Sequence, residues 1–460
     1  MSAKEEIGRE RATLERIREK LEETTLNTVR KALPDAAITR ACRAVGYEYR
    51  RRLLTPVVTV LHVMMAAIWP EESFAASWQV IWDAMVSRLS GAAGQSPARS
   101  SVTRARSRMP VEAWERLFAW LSKRAQELSA PWDRWRGHRV VLLDGTCVSM
   151  PDEKALFSAF GRCNTRHGPS RYPIARLVTV ALANTMAVIS YALGHYGTDE
   201  TTLSIALLGT LRRGDLLVAD RHFAGANLYH RYRSFGLEFL TRVHQKLKVS
   251  WLPRLVSYNA DDFVTDLLIG GPYRREDPTL PKKIMVRLIR AVVRIRGRRE
   301  VLWLATSLLD AQRYPAREIV ELYARRWKIE TLFRQVKINL SADVLRSKTP
   351  DGVRKEIIGR LMAVNVVRMI ILEAAIEHDV DPLRISFVHA TRAVLAFAPA
   401  LATEPLWKLP AIYHAMLQEI ASHVVPERPG RTEPRAVTRE RKHYPHLRTT
   451  RRAWRLANVA

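Results

Sequence analysis

Between residues 138 and 243, short apolar runs alternate with stretches of helical period, and two of the runs end in aspartate. His138 to Leu143 (HRVVLL) stops at Asp144-Gly145. Ala175 to Ala183 and Met186 to Leu193 read as two strands joined by a turn at Asn184-Thr185. Thr198 or Asp199 can cap a helix over Glu200 to Leu211, which Gly214-Asp215 breaks. Leu216 to Ala219 is a short buried strand ending in Asp220, followed by a helix from about Ala224 to Ser234, then Gly236 and the strand Leu237 to Val243. The order strand, strand, strand, helix, strand, helix, strand specifies a mixed α/β layer.

The flanks differ. Residues 1–130 read as helical, with breaks at Pro34, Pro70, Gly91 to Pro97 and Pro110. Two short segments there carry arginine: Asp35 to Val45, capped by Asp35 and followed by Arg50, Arg51 and Arg52, and Ser100 to Arg108, with Arg104, Arg106 and Arg108. A short helix, a turn and a second Arg-bearing helix suit a major-groove reader; a helical bundle with a solvated basic face is the other reading. Residues 131–244 form the first part of the α/β core and 245–305 a β-rich insertion, with strand-like runs at Lys283 to Ile295 and Glu300 to Ala305 and a turn-rich stretch at Gly271 to Arg275. Residues 306–345 hold a long amphipathic helix starting near Pro315 and running past Lys337. Residues 346–425 are helical again, and 426–460 are a basic, flexible tail.

Composition bounds the partner. The chain has 460 residues with 74 Lys+Arg against 46 Asp+Glu, a net charge of +28, and an apolar content of 47% that supports a real core. An excess spread over the full length points to a polyanion, nucleic acid before a membrane surface. Cys42, Cys147 and Cys163 are too few and too scattered for a disulfide framework or a zinc finger, so a reducing compartment is expected. The charged N-terminus is not a signal peptide. Leu53 to Trp69, the most apolar stretch, is shorter than the roughly 20 residues a span needs and reads as a buried helix. No membrane partner is expected, and the location expected is the cytoplasm, at the nucleoid.

Asp144 and Asp220 each follow an apolar run at a strand end, where open α/β sheets build their sites. An aspartate before glycine is also a common turn pair. A third acid lies in YARRWKIETLFRQVK, where Tyr323, Arg326, Glu330 and Lys337 stand at offsets 0, 3, 7 and 14. At about 100° per residue these fall within a sector of roughly 60°, beside Leu322, Ile329, Phe333 and Val336. A solvated charged face is the plain alternative. It does not account for the tyrosine.

The spacing Tyr323-x2-Arg326-x3-Glu330-x6-Lys337 resembles the Y-R-E-K motif of the bacterial IS4-type (IS4 family) insertion-sequence DDE transposases. Asp144-Gly145-Thr146, and Asp220 with Phe223, resemble that family's two other acidic motifs. The resemblance runs from about residue 138 to 340. It implies an α/β fold: an RNase H-like catalytic core with a β-rich insertion, flanked by helical N-terminal and C-terminal regions. It implies that Asp144, Asp220 and Glu330 are the catalytic acids and the ligands of two Mg²⁺ or Mn²⁺ ions, Asp144 bridging both. It further implies that Arg326, Lys337 and Tyr323 bind DNA phosphates, and that Trp303 stacks on a flipped base. The expected function is cutting and joining DNA at the ends of an insertion sequence. The expected partners are the element's terminal inverted repeats, target DNA and a second copy of the chain in a synaptic dimer. An inactive transposase-derived DNA-binding regulator and an RNase H-like nuclease are the alternatives. His222, Asp152, Glu153, Asp199 and Glu200 are read as solvent-facing, turn or cap residues, and Trp327 as packing.

Overall fold

The computed structural model describes residues 32–49, 54–69, 77–78, 82, 96–165, 168–295, 298–335, 345–404 and 406–426. The charged segment 1–31, Arg50 to Arg52, Lys337 and the tail from 427 lie outside them. Among the described residues, the helices before the core include α1 (Asp35–Arg43), α2 (Pro56–Ile68), α3 (Arg99–Arg108) and α4 (Val111–Ser129). The cap of α1 falls on Pro34, not Asp35. Asp35 lies inside the first turn, where its charge favours the helix dipole. The apolar stretch becomes α2, started by Thr55, whose hydroxyl accepts from the Val58 N–H at 3.3 Å, with Pro56 in the first turn. Every residue of α2 is buried, which explains its all-round hydrophobicity. No described helix is long and apolar enough to cross a membrane.

The core follows as β1 (His138–Ser149), α5 (Lys154–Phe160), β2 (Ile174–Leu182), β3 (Val188–His195), α6 (Glu200–Leu208), β4 (Leu216–Ala219), α7 (Ala226–Ser234) and β5 (Glu238–Arg242). In space the strands run β3-β2-β1-β4-β5. The first three pair antiparallel; β4 pairs parallel with both β1 and β5. Three antiparallel strands continued by parallel ones make the RNase H-like core. All four residues of β4 are buried, as in a parallel strand covered on both faces. β1 is longer than the run HRVVLL. It continues through Asp144-Gly145 to Ser149, so that pair makes no turn. The ladder with β2 carries it through, Asp144 facing Thr179 and Gly145 facing Val178.

The insertion comprises β6 (Val256–Asn259), β7 (Asp262–Leu268), α8 (Gly271–Glu276), β8 (Lys283–Ile295) and β9 (Arg298–Thr306). It extends the same sheet beyond β5 in the order β9-β8-β7-β6, all antiparallel. The stretch from Gly271 read as turn is the short helix α8, with Pro272 in its first turn. The insertion is tied back by Arg287, fully buried on β8. It makes a two-pronged pair with Asp262 at 2.7 and 2.6 Å and donates to the Tyr314 carbonyl at 2.7 Å. Removing one partner of such a pair costs about 3–5 kcal/mol, because the other charge is left buried. Tyr314 immediately precedes Pro315, so this anchor sets where the next helix begins.

That helix is not continuous. It divides into α9 (Ala316–Ala324) and α10 (Trp327–Arg334). Between them the N–H groups of Arg325, Arg326, Lys328 and Ile329 reach back three residues, to Leu322, Tyr323, Arg325 and Arg326, at 2.9–3.1 Å. Such tightening turns the helix by about 120° per residue and aligns i with i+3. The described part of the chain ends with the helices α11 (Pro350–Glu377), α12 (Phe387–Thr403) and α13 (Leu409–Ser422). α11 is capped by Thr349 and is buried along most of its length, because α2 and α4 cover it alongside α12 and α13.

Candidate active site

β1 and β4 run parallel in register, Leu143 beside Ala219. The next residue of each strand is an aspartate, so Asp144 and Asp220 stand side by side where β4 ends. Asp144 therefore does not end its own strand; it sits where the neighbouring strand stops. Asp220 turns the chain into a single turn of 3-10 helix, its carboxylate accepting from the Arg221 N–H at 2.7 Å.

The junction of α9 and α10 brings the third acid. Tyr323 and Arg326, aligned by the tightened turn, are both buried, each 4% exposed. Glu330 is turned outward, its side chain 53% exposed. The four-residue stripe thus splits: Tyr323 and Arg326 pack inward and Glu330 faces the opening. The Arg326 guanidinium lies between two acids, 3.7 Å from Asp144 Oδ2 and 3.4 Å from Glu330 Oε1.

Burial pushes the Asp144 carboxyl up to about 6, and the nearby charges of Asp220 and Glu200 add to the rise. The Gly145 N–H, 2.8 Å from Asp144 Oδ1, and the Arg326 charge oppose it. Burial likewise raises the Tyr323 phenol far above its ordinary range, and the charge of Asp220 raises it further, while Arg326 and Arg242 act the other way.

One neighbour carries no signal in the sequence. Glu200 reads as a cap residue, yet its carboxylate lies over Gly145: a Cβ added there would come 2.5 Å from Oε2. Arg176 of β2 holds it at 2.9 Å. The capping is done by Asp199, which accepts from the Thr201 N–H and pairs with His222 at 3.3 Å. The segment GTDET carries the ordinary marks of a helix start, so nothing in its spacing signals that folding puts Glu200 against β1.

Trp303 of β9 is half-buried, its ring meeting Phe263 edge to face at 5.8 Å. Asp144, Asp220, Glu330, Arg326 and Tyr323 are gathered in one place. All the acidic donors are carboxylate oxygens, the ligands hard divalent cations prefer. Their crowding, with one carboxyl already driven up by burial and further by the neighbouring acids, is relieved by added positive charge. The residues fit a divalent metal.

A family model described as a transposase DDE domain matches residues 135–366, just over half of the chain. One described as the insertion element 4 transposase N-terminal matches residues 15–119. The chain belongs to the DDE transposases, enzymes that act on DNA with divalent metal ions, and within them to the IS4 type. It is 27% identical over 354 residues to the transposase InsG for insertion sequence element IS4 of Escherichia coli (strain K12), covering 76% of this chain and 78% of that protein. It is 29% identical over 135 residues to the putative transposase InsZ of the same organism, covering 28% and 44%. Among solved structures, a cryo-EM structure of the piggyBac transposase synaptic complex with hairpin DNA aligns with a TM-score of 0.43 and 12% identity, over 88% of this chain and 86% of that one.

Proposed function

We propose that the chain cuts the terminal inverted repeats of its own insertion sequence and joins the freed 3′ ends to target DNA, working at the nucleoid as a dimer that pairs two ends. The observation that carries this is Asp144 on β1 beside Asp220, the residue just past the parallel strand β4, with Glu330 across Arg326 from Asp144. Asp144, Asp220 and Glu330 would hold two divalent ions, Mg²⁺ or Mn²⁺. Bound there, the ions activate an oxygen nucleophile and stabilise the leaving oxygen of the cut phosphodiester. Arg326 holds the carboxylates apart and oriented, and its charge suits the phosphate oxygens brought in by the DNA. Tyr323, packed beneath it, keeps the guanidinium in place and offers its hydroxyl to the backbone. Lys337 and Trp303 are the proposed further contacts, to a phosphate and to a displaced base.

The test uses supercoiled plasmid bearing the element's ends, with Mg²⁺ present. Asp144→Asn, Asp220→Asn and Glu330→Gln should each reduce strand cleavage by several orders of magnitude while DNA binding stays within a few-fold of wild type. Carboxylates of this kind position the reaction, not the duplex. Normal cleavage by any one of the three removes that residue from the site.

A further inference from the structure

In the C-terminal helices, far along the chain from the acids, three donors of a different character converge. His389 lies in the first turn of α12, while Glu419 and His423 are one turn apart at the end of α13. Glu419 Oε1 is 3.1 Å from His389 Nε2 and 3.7 Å from His423 Nδ1, and the three donor atoms all lie within 4.8 Å of one another. A tetrahedral zinc ion with bonds of about 2.0–2.1 Å needs ligand atoms about 3.3 Å apart, midway between those two spacings.

The backbone prepares this arrangement without the side chains. Ser386 caps α12 by accepting from the His389 N–H at 3.3 Å. The Ser386 N–H donates to the His423 carbonyl at 3.0 Å, and Ile385 bridges Val424. Both histidines are thereby fixed at their Cα atoms. Their rings lie face to face, centroids 3.2 Å apart and 12° from parallel. Two charged rings at that spacing would repel, so the spacing suits neutral imidazoles, the ligating form; each lone pair lies in its own ring plane, so one ring must turn out of the stack for both to meet a single ion. His423 Nδ1 also meets the Ser422 hydroxyl at 3.0 Å and the Glu419 carbonyl at 3.2 Å, contacts that an ion at Nδ1 has to displace. The group opens to solvent on the His423 side.

We propose that His389, Glu419 and His423 bind one Zn²⁺ ion, with water in the fourth position, and that this ion fastens the start of α12 to the end of α13. Two imidazoles and one carboxylate favour a borderline ion. The three-carboxylate site favours a hard one, so the two centres sort their metals by ligand type. The site lies where the chain leaves α13 for its basic C-terminal segment, and the ion holds that exit in position.

The experiment uses the full chain carrying Asp144→Asn, Asp220→Asn and Glu330→Gln, so that metal at the acids cannot be mistaken for metal here. After chelator treatment, Zn²⁺ is titrated against a chromophoric chelator with millimolar Mg²⁺ present. One equivalent should bind, and the thermal midpoint should rise with Zn²⁺ but not with Mg²⁺. His389→Ala and His423→Ala should each abolish both effects while the zinc-free variants keep a cooperative thermal transition. Co²⁺ in place of Zn²⁺ should give the visible absorption of a tetrahedral site, a readout that needs no variant. Absence of a saturable equivalent, of the Co²⁺ band, or of any loss in the histidine variants overturns the proposal.

Discussion

Gly145 shows how narrowly the acids are packed. It has ordinary strand geometry, so its lack of a side chain matters for space and not for backbone freedom: the Glu200 carboxylate occupies the volume a Cβ would take. Gly145→Ala should therefore push the end of the flexible Glu200 side chain away from Arg176 and cost about 1 kcal/mol, the low end for overpacking. In the pair Gly145→Ala/Glu200→Ala, urea unfolding should recover most of that loss. A double variant no more stable than Gly145→Ala would show that the glycine is needed for another reason. Asp133 is a second tightly set residue. It is 2% exposed, neither of its carboxyl oxygens has a hydrogen-bond partner among the described residues, and burial pushes its carboxyl up to about 7, with Arg139 opposing and Asp215 adding. The folded state therefore holds a proton that the unfolded chain releases near 3.8. Its contribution to stability is full below about pH 4 and is lost as the pH rises towards 7, at no more than about 1.4 kcal/mol per pH unit. Asp133→Asn should remove that part of the slope. Parallel pH–stability curves for the two proteins between pH 4 and 7 would contradict it.

At the level of elements, the site depends on two helices whose sequence reads as one. The period of YARRWKIETLFRQVK gives a single stripe only if the helix is uniform. The three-residue bonds at Arg325 and Arg326 rotate the second half, burying Tyr323 and Arg326 and leaving Glu330 at the surface. Periodicity carries the positions of the residues along the chain but not a local change of winding, because that change is imposed by the sheet on which Arg326 lands. α11 makes the same point through packing. Gly359 meets Val63 of α2, where a Cβ would come 2.6 Å from Cγ1. Gly359→Ala should destabilise the protein by about 1–3 kcal/mol, and Val63→Ala added to it should restore part of that. Strict additivity of the two would mean that α2 and α11 do not touch at this point.

At the level of the whole molecule, the helices before the core and those after it share one buried layer. α2 and α4 cover α11, and α4 also lies on β3, where the Ser122 hydroxyl donates to the Ile189 carbonyl at 2.9 Å. Removing residues 1–130 would strip that cover, so a truncated chain should aggregate or lose its cooperative transition and is a poor way to locate end recognition. The better probe is the exposed pair Arg104 and Arg108 on α3. Arg106 between them turns inward, and burial there lowers its proton affinity, with the Arg360 charge adding. If α3 reads the terminal repeat, Arg104→Ala and Arg108→Ala should lose preference for it over random duplex at high salt. The salt slope of non-specific binding should fall by only about one per residue. Full preference retained in both would move recognition elsewhere, with the β-rich insertion the next place to look.

The α/β core was legible because its strands are short apolar runs bounded by turn residues, and because the acids stand at fixed intervals along the chain. Charge pointed to a polyanion, and the four-residue spacing pointed to the family. Three things were not legible: that β1 runs on past Asp144, that Glu200 lies over Gly145, and that Arg326 sits between Asp144 and Glu330. Each depends on a contact between segments tens to nearly two hundred residues apart, set by strand register and helix docking. No local pattern of hydrophobicity or charge encodes such a distance.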